Sequence, residues 1–166
     1  IICTACFEAC KIFKINEKKL INICASAECI HSYSLIHDDL PCMDDDSFRC
    51  GILSTHKKFG EATAVLAGNS LLTLAFEILA DENYLLNAKD KNKIIKALAF
   101  CSGHTGIAGG QELDLKFEKK TKNLKQIINM QKKKTGKLFN FCLFAVGVLA
   151  KKNRKENIFW SNLGEE

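Results

Sequence analysis

Asp38, Asp39, Asp44, Asp45 and Asp46 put five of the nineteen acidic residues within nine positions, around the only proline, Pro41. Carboxylates this dense repel one another. At the C-terminus of a helix they also face the negative end of the helix dipole, at a cost of about 0.3–1 kcal/mol each. A cation relieves both strains. Hard divalent cations take oxygen ligands, and magnesium commonly uses one or two carboxylates, keeps several waters and bridges to substrate phosphates. The cluster therefore predicts a magnesium–phosphate site rather than a solvated acidic turn, because a long apolar helix leads into it. Proline lacks the backbone donor and clashes with the preceding turn. A break at Pro41 lets Asp38 and Asp44 converge, whereas an unbroken helix would point them apart.

The elements that must hold such a site all read as helices. Turn signals are scarce, and no run alternates convincingly at period two. The apolar pattern predicts helices over Ile1 to Phe13, Asn16 to Leu40, Gly60 to Ala80, Lys91 to Ser102, Gly106 to Phe117 and Leu124 to Lys152, with another beginning at Glu156. In the second, Leu20, Ile23, Cys24, Ala27, Ile30, His31, Ser34, Leu35 and Asp38 form one stripe. Gly60 to Ala80 is apolar nearly all round, which predicts a central, buried place, in the core or equally at an interface between two copies. No repeat, linker or composition break divides residues 1–166, so the expected fold is a single all-α domain.

Composition narrows the function. With 47% hydrophobic and 26% charged residues, the chain reads as globular. The net charge of +5 comes almost wholly from lysine, with Arg49 and Arg154 the only arginines. Base-reading surfaces rely on arginine's planar fork, so nucleic acid is not an expected partner. The longest strongly apolar stretch, Leu138 to Ala150, is thirteen residues, short of the roughly 20 that span a bilayer, and no secretion signal is recognisable. Cys3, Cys6 and Cys10 share one helix face. Together with the leaderless pattern, this predicts nine reduced thiols acting mostly as small buried hydrophobes.

At the residues themselves a family resemblance emerges. The segment from Glu28 to Glu61, ECIHSYSLIHDDLPCMDDDSFRCGILSTHKKFGE, resembles the first aspartate-rich region of trans-polyprenyl diphosphate synthases of the bacterial and plastid branch. AVLAGNSLLTLAFEILA from Ala64, GIAGGQELDL from Gly106 and KKTGKLF from Lys133 follow in the family's order. The resemblance implies an isoprenoid synthase-type helical bundle around a central cavity.

It also implies a reaction. An allylic diphosphate (dimethylallyl or geranyl) ionises, the double bond of isopentenyl diphosphate attacks the cation, and loss of a proton leaves farnesyl diphosphate. By the resemblance, Asp38 and Asp44 ligate Mg²⁺ with Asp39 assisting, and Arg49 grips the allylic diphosphate. Lys134, Thr135 and Gln111 border that substrate, and His31 belongs to the isopentenyl diphosphate site. Tyr33 and Ser34 lie roughly 6 to 8 Å along the helix from Asp38. The bulk of Tyr33 resembles a floor that stops the product at C15. A homodimer in the cytoplasm is expected, with a plastid-type organelle as the alternative.

The sequence also departs from the family. The basic GKR-type motif before the first region and the second DDxxD are both missing, so the chain reads as a domain truncated at both ends and, alone, inactive. Cys50 stands where a second arginine would address isopentenyl diphosphate, and Gly68-Asn69-Ser70-Leu71 replaces GDAL. Two alternatives therefore stand: a non-catalytic homologue that pairs with an active synthase, and a C20 geranylgeranyl synthase.

Overall fold

The computed structural model describes residues 2–118 and 122–164. α1 (Ile2–Ile12) leads through a 3₁₀ turn at Glu17–Lys19 into α2 (Ile21–Asp38), and then a loop carries Pro41 and Asp44. β1 (Phe48–Arg49) and β2 (Ile52–Leu53) precede α3 (Thr55–Phe59), α4 (Glu61–Ala80), α5 (Ala88–Ser102) and α6 (Ile107–Phe117). α7 (Leu124–Gln131), a π turn (Lys132–Gly136), α8 (Lys137–Leu149) and α9 (Arg154–Leu163) complete the order. The all-α expectation holds, although Ile1 of the first expected helix lies outside the described residues.

Asparagine side chains set several helix starts. Asn87 Oδ1 accepts from the Asp90 N–H at 2.9 Å, so α5 begins at Ala88 rather than at Lys91 as expected. Asn123 with Gln126, and Asn153 with Glu156, form reciprocal capping boxes at α7 and α9. Such boxes satisfy helix N–H groups that otherwise lack partners. α9 consequently starts at Arg154, ahead of the expected Glu156.

Two expectations fail locally. The chain is not helical throughout, because β1 and β2 pair antiparallel as Phe48↔Leu53 and Arg49↔Ile52. Cys50 (φ 52°) and Gly51 (φ 81°) make the connection, the positive-φ pair that a tight two-residue hairpin needs. Strands of two residues carry no period to read. The expected continuous helix from Leu124 to Lys152 is interrupted by the π turn, where the Lys137 N–H reaches Lys132 O. Such turns bulge the backbone and re-aim side chains, often at functional sites.

The core lies where α1, α2, α5 and α8 meet, around the fully buried Leu20, Ile23, Ile30, Ile94, Leu98, Phe141 and Val146. Cys6, Cys10, Cys24, Cys101 and Cys142 are buried with them, and no disulfide joins any of the nine cysteines. Burial pushes the Cys10 thiol up to about 11, away from the thiolate form that reacts.

α2 and α4 run antiparallel. Asn22 Nδ2 donates to Ile78 O at 3.0 Å near one end, and a His37 ring nitrogen meets Val65 O at 3.2 Å near the other. Of the two places expected for α4, the core of this chain is not the one it takes, since its small residues Ala64, Gly68 and Ala75 are buried while Val65, Leu66 and Leu74 are exposed. All-round apolarity states that both faces avoid water, not which one this chain covers. The bound set by Leu138 to Ala150 also needs correcting. α4, at 20 residues, is long and apolar enough to cross a membrane by length and composition alone. In the fold it packs on α2.

Candidate active site

α2 ends where Pro41 would extend it. The Asp39 N–H still reaches Leu35 O at 3.1 Å, but the loop then turns back, and the Asp44 N–H donates to Asp38 O at 2.9 Å. Asp44 is thereby stitched to Asp38. Its carboxylate also meets Gln111 Nε2 on α6 at 3.4 Å.

α6 and the π turn bring the cation. A Cβ on Gly110 would collide with the Lys134 backbone, so only glycine lets the π turn seat this close to α6. Lys134 Nζ lies 2.7 Å from Asp114 Oδ2 and 3.6 Å from Asp38 Oδ2. Burial alone would pull the Lys134 ammonium down. The hydrogen bond to Asp114 and the charges of Asp38, Asp114 and Asp44 outweigh it, so its pKa is raised. Asp38 shows the opposite imbalance. Burial, reinforced by the Asp44 charge, pushes its carboxyl up to about 6, despite the opposing pull of Lys134 and Arg49.

Asp39 is committed elsewhere. It is buried, and the Arg49 guanidinium donates to it through Nε at 3.0 Å and through a second, closer Nη2 contact. The same Nη2 reaches Asp46 at 3.2 Å. Arg49 thus ties the hairpin to the end of α2, and Lys57 Nζ holds Asp45 at 3.3 Å.

Two cavities flank Ser34, Asp38 and Ile107. One, of about 250 Å³, is lined by His31, Ser34, Leu35, Asp38, Lys134, Thr135, Leu138 and Phe139. It combines mostly apolar walls with a carboxylate and an ammonium. The other, also about 250 Å³, holds Tyr33, His37, Met43 and Gln111. The expected residues therefore separate into three groups: His31, Lys134 and Thr135 on the first cavity, Tyr33 and Gln111 on the second, and Arg49 with Asp39 outside both. Asp38 and Ser34 belong to each cavity. Tyr33 stacks edge-on against His37, with centroids 5.1 Å apart.

Asp114 stands inside the GIAGGQELDL segment but received no role from the motif reading, although it follows Gly110 by four residues and Gln111 by three. That spacing places all three on neighbouring positions of one helical face.

Among the described residues, no three His, Cys, Asp or Glu side chains are grouped to hold a metal ion. A site of two carboxylates does fit one hard divalent cation. Asp38 and Asp44 are joined by their backbones, and the disfavoured Asp38 charge is the kind a cation would stabilise. Asp39, buried next to Asp38 in sequence, is engaged by Arg49.

The polyprenyl synthetase family model matches residues 1–166. The chain is 42% identical over 139 residues to a farnesyl diphosphate synthase of Bacillus subtilis, covering 81% of this chain and 46% of that protein. An FPP/GFPP synthase from Zymomonas mobilis, solved in the apo form, superposes with a TM-score of 0.93 at 36% identity, over 99% of this chain and 60% of that one. A geranyltransferase from Helicobacter pylori, solved with magnesium and isoprenyl diphosphate, gives 0.88 at 35% identity, over 99% and 56%. The chain thus spans about half the length of the curated relatives it matches.

Proposed function

Because this chain belongs to the polyprenyl synthetase family, we propose that the intact protein is a Mg²⁺-dependent prenyltransferase that joins isopentenyl diphosphate to dimethylallyl or geranyl diphosphate, giving farnesyl diphosphate. The observation that carries this reading is the meeting of Asp38, Asp44 and Lys134 beside a mostly apolar cavity. Such a place suits a molecule with a highly charged head and a hydrocarbon tail.

Asp38 and Asp44 would hold the cation, with Asp39 assisting. When bound, Mg²⁺ supplies Lewis-acid neutralisation of the departing diphosphate. The protein's own groups do the rest. Lys134, with Thr135 beside it, meets the diphosphate oxygens as negative charge grows there, a preorganised stabilisation that water cannot match. Gln111 steadies Asp44. Arg49 holds Asp39 in place, and offers its exposed edge to the allylic diphosphate. Leu35, Ile107, Leu138 and Phe139 wall the cavity against water, which would otherwise capture an allylic cation. His31, on the same cavity, addresses isopentenyl diphosphate. The exposed apolar face of α4 supports a second copy of the chain as partner. The bacterial farnesyl diphosphate synthase relative supports a cytoplasmic setting.

Incubating the intact protein with geranyl and isopentenyl diphosphates and Mg²⁺ tests the reading. A C15 diphosphate is expected by chromatography, and no turnover would overturn it. Cys50, exposed in the hairpin turn where the family resemblance calls for arginine, favours a second reading as a non-catalytic partner, which predicts that outcome.

Product length has its own test. Tyr33 is half-buried and braced by His37. Tyr33→Ala is expected to move product from C15 towards C20, and an unchanged chain length would remove its role as a floor.

A further inference from the structure

We propose that Asp114 is the positioning residue for Lys134, holding its ammonium beside Asp38 but off it until a diphosphate takes the ammonium over. This rests on the transferase reading above. It concerns a residue of the GIAGGQELDL segment to which the resemblance assigned no role.

The geometry comes from one helix face. Gly110 and Asp114 stand four residues apart on α6 and address the same lysine. Gly110 offers bare backbone, against which the Lys134 backbone seats. Asp114 offers a carboxylate 2.7 Å from the Lys134 ammonium. The π turn supplies the third constraint by bulging the chain at Lys132–Gly136. Backbone and side-chain tip are thus both fixed, which matters for lysine because its long stem has many rotamers to lose on ordering.

The asymmetry of the two ion pairs carries the argument. Lys134 makes a hydrogen bond to Asp114 but stays 3.6 Å from Asp38. Without Asp114, the nearest anion for a poorly exposed ammonium is Asp38 itself. Lysine would then occupy an oxygen that a divalent cation needs, and both diphosphate-binding groups would be spent on each other. Asp114 keeps the ammonium near and transferable. An incoming diphosphate carries more negative charge than one carboxylate and can draw it across.

Asp114→Asn in the intact protein is expected to raise the KM for geranyl diphosphate about tenfold. The Mg²⁺ concentration for half-maximal rate should rise several-fold, because Lys134 then competes at Asp38. Asp114→Glu, which keeps the charge, should stay within about threefold of wild type. A purely structural role for Asp114 would not reproduce the decisive readout, a double-mutant cycle. In a Lys134→Met background, Asp114→Asn should change the remaining rate less than about twofold, because Asp114 would have nothing left to position. Additive losses would overturn the proposal, as would an Asp114→Glu variant as impaired as the asparagine one. If Asp114→Asn does not fold, Asp114→Ser with and without Lys134→Met decides the same question. If wild type turns nothing over, the transferase reading fails alone. The cycle is then read from calorimetric binding of inorganic diphosphate with Mg²⁺, where additivity again sinks the positioning role.

Discussion

Asp38→Asn is expected to make the metal-free protein more stable near neutral pH and to cripple its turnover. In the folded protein the Asp38 carboxyl sits at about 6 against an ordinary value of 3.8. Burial raises it first, and the Asp44 charge adds to burial. Because the folded protein holds this proton more tightly than the unfolded chain, the associated stability is fully present below about pH 4 and lost as pH rises through about 6. Above that, the ionised side chain costs about 3 kcal/mol, which asparagine avoids. Urea denaturation with a chelator present checks this. The variant should exceed wild type by about that amount near pH 8, and the gap should close towards about pH 4. A gap that does not change with pH would exclude the ionisation account. In the assay with geranyl and isopentenyl diphosphates, the same substitution should lower the rate about 10²- to 10³-fold, the scale of losing one preorganised electrostatic contact. A gain in stability with a loss of activity is what a charge kept for ligand binding predicts.

Arg49→Ala should do the reverse to stability. Asp39 is 2% exposed, and its partner is the Arg49 guanidinium. Removing that guanidinium leaves a buried carboxylate without its cation, a loss of about 3 kcal/mol. Arg49 is itself about one-third exposed, so water entering the gap keeps the cost at the lower end of such losses. The denaturation midpoint should fall with little change in m. In an Asp39→Asn background the penalty should shrink to below about 1 kcal/mol, because no orphaned charge remains. Equal penalties in both backgrounds would show that Arg49 stabilises through the hairpin rather than through Asp39. Turnover of the Asp39→Asn, Arg49→Ala pair, measured against Asp39→Asn alone, then reports the diphosphate grip separately from the fold.

Much of the architecture was legible because helices advertise themselves locally. Apolar periodicity located the helical runs, and Pro41 located the end of α2, since both act within a few residues. The misses were of two physical kinds. The Phe48–Leu53 hairpin and the π turn are too short to impose a period. The exposure of α4 is not a local property at all, because its composition is compatible with contact on either face. Helix starts at Asn87 and Asn153 depended on side-chain caps that a charge-based reading passed over.

The site divides the same way. The sequence by itself determined the inventory: clustered carboxylates after an apolar helix, a lysine in KTG, a glutamine after paired glycines, and a break letting Asp44 return to Asp38. It also determined the family, through motifs kept in order. Only the tertiary structure decided the pairing. Asp39 turns to Arg49, Asp44 meets Gln111, and Lys134 leans on Asp114 while facing Asp38. These partners come from different elements, and each carboxylate had several cations to choose from. Which charge meets which follows from how α2, α6 and the π turn pack, and from the absence of a side chain at Gly110 that lets them approach.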